Sequence, residues 1–238
     1  MCDIDITKIV EPMKQGYTKP YLCEASNKKK YVVKGLKATC GGLVREWIIA
    51  NIGEKFGLNI PPFHLAFLDN HLDEDHELVD SEIEICFASE YISGAKEIQY
   101  SMLGNYDPEA LRELYFFDYW IKNDDRCLSE SGGNANLFVH PSHQRPFVLD
   151  HNLSLEANFD IAKHKSNHLA ASIWNENPDL VCFDDYKHRI EVSLQEIDSV
   201  IDSLPDEWLE RYSKERIEAE ILTPLLRYKT DEFWEAIK

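Results

Sequence analysis

Residues 119–152 read YWIKNDDRCLSESGGNANLFVHPSHQRPFVLDHN, and this stretch decides the fold. It opens at the end of an apolar helix. Asp107-Pro108 supplies the N-cap and first-turn proline, and apolar residues at 111, 114, 115, 117, 119 and 121 carry the pattern to about Lys122. The helix runs directly into Asp124-Asp125-Arg126. Packing does not account for two adjacent carboxylates at the end of a core helix, because ionised side chains there lose solvation. A polar segment follows, and then two short apolar runs. Asn134-Ala-Asn136 precedes Leu137-Phe138-Val139, and Phe147-Val148-Leu149 delivers Asp150. Carboxylate and amide oxygens placed at the ends of short strands are hard ligands, suited to a cation such as Mg²⁺.

Upstream, Tyr21–Ala25 and Tyr31–Lys34 are β-rich runs separated by Ser26-Asn27-Lys28-Lys29-Lys30, which predicts a hairpin. The basic run belongs to its solvated turn. Before it, Gln15–Pro20 forms a small turn whose single glycine, Gly16, could bring backbone N–H groups to phosphate oxygens. Lys34 ends a β-branched strand, where a lysine on the buried face needs a partner. Residues 41–56 carry apolar side chains at 43, 47, 48, 52 and 56, a helical spacing that stops at Gly57. Glu46, near the start of that helix, is the candidate partner. Read alone, the two are no more than a surface lysine and an unrelated glutamate.

Leu58–Phe63 is extended by its two prolines, and His64–Leu68 reads as a strand. The acid-dense residues 69–84 read as a solvated loop, since the glycine and terminal glutamate of an EF-hand loop are missing. Ile85–Ile92 reads as a buried strand running into Ser93-Gly94. Towards the C-terminus, Ser193 and Glu196 predict a capping box opening a helix to Leu204. Pro205 starts another helix, and residues 217–229 and 231–237 give further packing helices. No repeat or linker divides the chain.

The 238 residues are 44% hydrophobic, enough for a substantial core, and carry a formal charge of −18. That charge argues against nucleic acid or an anionic membrane as the main partner. Six scattered cysteines lack any Cys-x-x-Cys pair, and no apolar run reaches membrane-spanning length. The expectation is a soluble, cytoplasmic protein with reduced thiols and no membrane partner. The nine histidines read as ordinary surface residues. His164 and His168 would share a helix face, but two ligands make no zinc site.

Taken together, the motifs resemble the HipA-like kinase family. The resemblance rests on Tyr31-Val-Val-Lys34, on Glu46-Trp47, and on Gly57-Leu58 with Ile60-Pro61-Pro62. It continues with Asp125-Arg126, Asn134-Ala-Asn136-Leu137 and Leu149-Asp150-His151, covering roughly Gly16 to the final helices. It implies an α+β, two-lobed protein-kinase-like fold, with a mainly β N-lobe over about residues 1–93 and a helical C-lobe over about 94–238. It further implies ATP and Mg²⁺ between the lobes. Kinases place a catalytic carboxylate, a metal-binding amide and a metal-binding carboxylate in this order.

By that resemblance Lys34 holds the α/β-phosphates and Glu46 holds Lys34, while Asp125 accepts the acceptor's proton. Asn136 and Asp150 bind the metal, and the Gly16 turn covers phosphate. The backbone of Glu90, Tyr91 and Ile92 meets the adenine edge. The acceptor is a hydroxyl, on protein Ser/Thr or a small molecule, and a regulatory protein partner is compatible with the family. Asp125 to Asn136 spans eleven positions, longer than the family pattern. Ser129–Gly133 therefore reads as a flexible insertion, which leaves Asn134 open as metal ligand and Asp124 open as base. A pseudokinase that binds nucleotide or protein, and an AMP transferase with the nucleotide reversed, are the rival functions.

Overall fold

Alternating Ile4 and Ile6 begin a strand that the sequence reading passed over, and this strand closes the N-terminal sheet. The computed structural model describes residues 3–13, 18–69, 72, 78, 83–155, 157–176 and 182–238. In it β1 (Ile4–Pro12), β2 (Tyr21–Ala25), β3 (Lys30–Lys34), β4 (Phe63–Leu68) and β5 (Ile85–Glu90) form a closed barrel in the order β1-β2-β3-β5-β4. The β2–β3 hairpin pairs Tyr21 with Val33 and Cys23 with Tyr31, and Lys28 in its turn takes a left-handed φ of 66°. β1 runs parallel to β4, pairing Ile4 with Ala66. Cys23, Val33, Ala66 and Ala88 fill the barrel interior. The Gly16 turn lies outside the described residues, as does most of the acidic 69–84 loop.

Helix α1 (Cys40–Phe56) follows β3, with the Thr39 side chain accepting the Gly42 N–H. It ends on Gly57 at φ +102°, a left-handed C-cap that an L side chain resists. The helix is apolar on nearly every side, and Leu43, Ile48, Ile49 and Phe56 are all buried. Such a helix needs cover all round, and C-terminal helices α5 (Phe183–Leu194), α6 (Ile197–Asp202) and α7 (Asp206–Leu209) help to supply it. Trp47 Nε1 donates to Ser203 Oγ at 3.0 Å, and Arg189 Nε donates to the Phe56 carbonyl at 2.8 Å. The Glu207 carboxylate accepts the N–H of Ile85 at 2.7 Å, and Trp208 Nε1 donates to the Ile85 carbonyl at 2.9 Å. Thus the C-terminal helices grip both α1 and the start of β5.

The helical region is centred on α2 (Pro108–Trp120), capped by Asp107 as the sequence predicts. Around it lie α3 (Ile161–Asn167), α4 (Ala171–Glu176), α5 and, last in the chain, a helix at Asp231–Ile237. Phe116 stacks on Tyr186 at 4.2 Å between ring centroids, and Tyr115 stacks on Trp174 at 4.8 Å. Each large apolar side chain buried here stabilises the fold by about 1.5–3 kcal/mol. The polar tips of the core aromatics Tyr119 and Trp120 reach backbone carbonyls of Phe233 and Leu225 at 2.7 and 2.9 Å, as buried polar groups require. No helix among the described residues is long and apolar enough to cross a membrane.

Three expectations are corrected. Ser193 caps nothing. It sits in the last turn of α5 with its hydroxyl donating to the Arg189 carbonyl at 2.7 Å, and the helix break falls at residues 195–196. Residues 127–134 are not a loose loop but a hairpin, β7 (Cys127–Ser129) with β8 (Gly132–Asn134). A Cβ on Gly133 would overlap the Cys127 carbonyl, so glycine permits the close approach of its two arms. Finally, His151, His164 and His168 are buried, not surface residues. Beyond the hairpin, β9 (Leu137–Val139) and β10 (Phe147–Val148) pair with each other, and β6 (Lys96–Glu97) adds to β9.

Burial pushes the His164 ring down to about 3, with His168 adding repulsion, and burial lowers His168 as well. Both rings are neutral when folded but take up a proton near pH 6.5 when unfolded. Their contribution is full above about pH 6.5 and declines as pH falls towards 3. By linkage His164 alone removes about 1.4 kcal/mol of stability between pH 7.5 and 5.5, and His168 acts in the same direction. Urea unfolding at the two pH values should show at least that loss.

Candidate functional site

The site is assembled by a buried cation, Arg126, which the Asp125-Arg126 motif contains but to which the sequence assigns no role. Arg126, 1% exposed, lies at the foot of α2, where Nε donates to Asp118 Oδ2 at 2.7 Å. Its Nη1 donates to the carbonyls of Ala135 at 3.1 Å and Asn136 at 2.6 Å, and both Nη atoms reach the Leu149 carbonyl at 3.3 Å. One guanidinium therefore joins the segment ending in Asn136 to the segment delivering Asp150. The Leu149 N–H adds a bond to the Asn136 carbonyl at 3.1 Å.

Asp118 is fully buried in the last turn of α2, and its side chain accepts three bonds. Asn123 Nδ2 gives one at 2.9 Å, Arg126 Nε one at 2.7 Å and His168 Nε2 one at 2.9 Å. Burial opposes its ionisation, yet Arg126 and His168 hold the carboxyl well below the usual carboxylate range. His168 uses its other nitrogen to accept the Ala170 N–H at 3.1 Å. Asp118 was legible as one anomaly, an acidic residue inside an apolar run, and a buried acid implies a partner.

The sequence-predicted residues converge around this frame. Asp125 Oδ2 accepts Asn134 Nδ2 at 2.7 Å and Asn136 Nδ2 at 3.3 Å. An ionised carboxylate only accepts, so both amides turn their nitrogens to Asp125 and present their oxygens elsewhere. Asp125 Oδ1 has no hydrogen bond among the described residues. Asn136 and Asp150 hold φ of 43° and 62°, left-handed backbone that costs a non-glycine residue on the order of 1–3 kcal/mol. Arg126 bonds the carbonyl of Asn136 and that of Leu149, the residue before Asp150.

From the barrel side, Lys34 donates to Glu46 Oε2 at 3.0 Å and to Asp150 Oδ1 at 2.6 Å. The expected Lys34–Glu46 pair thus exists, buried, with Asp150 as a second anion. The His151 N–H donates to both Glu46 oxygens at 3.2 Å. Burial disfavours the Lys34 charge, but Glu46 and Asp150 outweigh it and raise the ammonium. Asp150 is held below its ordinary value, since Lys34 overcomes the cost of its burial. Glu46 is pushed up, first by burial and then by Asp150. One cation shared by two carboxylates leaves negative charge in excess, and Asp125 adds to it.

That excess, with an amide oxygen of Asn136 and the carboxylate of Asp150 on one frame, is a hard donor set of the kind Mg²⁺ takes. Lys34 bonds one oxygen of Asp150, Oδ1. Among the described residues no group of three or more His, Cys, Asp or Glu side chains forms a metal site by itself. Such a metal would need oxygens from a nucleotide as well, as kinase metals do.

Asp124 turns away from Asp125 and pairs with Lys163 at 3.0 Å. At the expected hinge the Glu90 N–H donates to the Pro62 carbonyl at 2.7 Å and the Tyr91 N–H to the Lys30 carbonyl at 2.9 Å. Both N–H groups are thus committed to the protein, and Pro62 has no N–H to return to Glu90.

The family model for HipA-like kinases matches residues 6–237. No curated protein sequence matches the chain. Among solved structures, the Helicobacter pylori proinflammatory kinase CtkA is 17% identical with a TM-score of 0.48, covering 95% of this chain and 98% of that one. The golgi casein kinase is 10% identical with a TM-score of 0.42, covering 98% and 70%. LicA, solved in complex with AMP, is 13% identical with a TM-score of 0.36, covering 99% and 94%. TM-scores below 0.5 give these likenesses no weight in assigning function.

Breaking the buried pair by Asp118→Asn leaves the Arg126 charge without its counter-ion. The expected loss of stability is about 3–5 kcal/mol by urea unfolding at pH 7.5. A loss below 1 kcal/mol would show that the pair is not a structural anchor.

Proposed function

The chain belongs to the HipA-like kinase family, and from that premise we propose that it is an ATP- and Mg²⁺-dependent phosphotransferase acting on a hydroxyl, most simply a protein Ser or Thr. The observation that carries this reading is the convergence of Lys34, Glu46, Asp125, Asn136 and Asp150 on one Arg126-held frame. In this reading residues 1–93 form the nucleotide-covering lobe and residues 94–238 the lobe that carries the acceptor machinery.

Lys34 is oriented by Glu46 and would place its ammonium on the α/β-phosphates. Asn136 and Asp150 would hold Mg²⁺, Asn136 through its amide oxygen and Asp150 through its carboxylate. Bound there, the ion would neutralise charge on the β- and γ-phosphate oxygens. With nucleotide bound, Lys34 would exchange its bond to Asp150 for the phosphates while keeping Glu46, which would free the Asp150 carboxylate to hold the metal.

Asp125 would accept the hydroxyl proton through Oδ1, the oxygen the two asparagines leave open. Asn134, with the shorter bond to Oδ2, is the positioning residue that fixes the carboxylate. That division of labour favours Asn136 as the metal ligand, because its backbone is clamped to the Asp150 segment. It favours Asp125 over Asp124 as base, because Asp124 faces Lys163. At the hinge, the Glu90 carbonyl opposite Pro62 and the N–H of Ile92 are the groups left for an adenine edge, alongside the side of Tyr91. Gly16, outside the described residues, is kept as a phosphate-binding residue on the family resemblance alone.

The test is transfer from γ-labelled and α-labelled ATP to a Ser/Thr protein mixture, with ATP binding measured with and without Mg²⁺. Transfer of the γ label alone is expected. Label from the α position would indicate AMP transfer, and Mg²⁺-independent binding without transfer would indicate a pseudokinase. Asp125→Asn should lower transfer by on the order of 10²–10⁴ with Mg·ATP affinity little changed. Asp150→Ala should abolish the Mg²⁺ dependence of ATP binding, and equal Mg·ATP binding by this variant and the wild type would refute the metal assignment.

A further inference from the structure

Strand β3 leaves the N-terminal sheet early. It pairs with β5 only as far as Lys34, opposite Phe87, and then passes through Gly35 and a short 3₁₀ turn (Leu36–Ala38) into α1. Continued by two residues, the same antiparallel register would set Leu36 opposite Ile85. Successive residues of β5 turn their backbone groups to opposite sides. The Glu84 carbonyl accepts the Leu68 N–H and the Glu90 N–H reaches the Pro62 carbonyl, each at 2.7 Å, so the even-numbered groups face the β4 side. Those of Ile85 therefore face the place that β3 has left.

Two side chains of α7 fill that place. Glu207 Oε1 accepts the Ile85 N–H at 2.7 Å, and Trp208 Nε1 donates to the Ile85 carbonyl at 2.9 Å. The two Glu207 oxygens also accept the Glu84 N–H, at 3.1 and 3.2 Å. One acceptor and one donor are what a paired strand residue would have offered. Trp208 is fully buried, which seats α7 against the sheet.

The same stretch of chain holds α1. Trp47, the chain neighbour of Glu46, donates to Ser203 Oγ at 3.0 Å. Thr39 joins β3 to α1 at φ 62° and ψ 153°, a conformation nearly confined to glycine that costs on the order of 1–3 kcal/mol. A strained joint keeps its geometry only where both of its arms are held. Residues 203–208 hold both, α1 beside Glu46 and β5 two residues from the partner of Lys34.

We propose that Glu207 is a positioning residue for the nucleotide site, standing in for the strand that β3 gives up and so fixing where Lys34 leaves the sheet to meet Glu46. The proposal rests on reading Lys34 as the residue that holds the α/β-phosphates. Glu207 acts on Lys34 through Ile85 and β5, and it brings the C-terminal helices into the ATP site.

The link is tested first without nucleotide, from the Lys34 ammonium resonance of ¹⁵N-lysine-labelled protein, assigned by its loss in Lys34→Met. Glu207→Ala should shift or broaden that resonance. Glu207→Gln, which keeps an acceptor oxygen for Ile85, should restore it. A purely structural role would lower the stability of Glu207→Ala and leave the resonance in place, and that result would overturn the proposal. If Glu207→Ala does not fold, Trp208→Phe, which removes the indole donor and keeps a ring, carries the same readout.

The nucleotide side is read by calorimetry from Mg·ATP binding in the wild type and in Lys34→Met, each with and without Glu207→Ala. In the wild type Glu207→Ala should weaken binding by on the order of tenfold, and beside Lys34→Met it should add nothing. The same weakening in both backgrounds would overturn the proposal, since Glu207 would then act elsewhere than on Lys34. A Lys34 resonance that moves as expected, with Lys34→Met binding Mg·ATP as tightly as the wild type, would uphold the link and refute Lys34 as a phosphate ligand instead.

Discussion

The buried ion pair between Asp118 and Arg126 is the constraint on which the rest of the site depends. A guanidinium with a rigid fork of N–H groups reaches a carboxylate with one edge and three backbone carbonyls with the others. Asn136 and Asp150 both sit on left-handed backbone, which asparagine and aspartate tolerate better than other non-glycine residues. Carbonyls on the two segments converge on Arg126, and this convergence sets the separation between an amide and a carboxylate that are far apart in the chain. A lysine offers one point charge and cannot hold both segments.

The second constraint crosses between the barrel and the helices. Lys34 leaves β3 to meet Glu46 from α1 and Asp150 from the helical region. Glu46 is in turn fixed by the His151 N–H, so the residue after Asp150 reports the position of α1. α1 is not a loosely docked element. Trp47, Arg189, Glu207 and Trp208 tie it and β5 to the C-terminal helices, so the paired Lys34–Glu46 arrangement is built into the packing. What that packing leaves is a site with more carboxylates than cations, the charge balance that the proposed divalent metal would meet.

Much of this was legible in the sequence because it follows local rules. The β2–β3 hairpin, the Asp107-Pro108 helix start and the Gly57 stop each rest on neighbouring residues, and all appear as expected. Lys34 and Glu46 read alone as a surface lysine and an unrelated glutamate, and it is the family resemblance that pairs them, as the structure does. The misreadings were of residues whose meaning is tertiary. Ser193 and Glu196 have capping-box spacing, but α5 runs through Ser193 and the apolar wall of α1 holds that helix. Ser129–Gly133 looked like slack, yet Gly133 lets the two arms close into a hairpin that presents Asn134 to Asp125. His164 and His168 were indistinguishable from surface residues until α3 laid them against Tyr115 and Asp118. Asp118 was visible only as an acid in an apolar run, and its partners come from the loop after α2 and from His168, far along the chain.

The most direct test of this account is Mg²⁺-dependent ATP binding by Arg126→Lys, measured by calorimetry beside the wild type. The substitution keeps the charge opposite Asp118 and removes the fork that joins the Asn136 and Asp150 segments. The account predicts a folded protein whose ATP affinity no longer rises when Mg²⁺ is added. A variant that binds Mg·ATP as tightly as the wild type would contradict it, because the metal ligands would then be placed without the clamp.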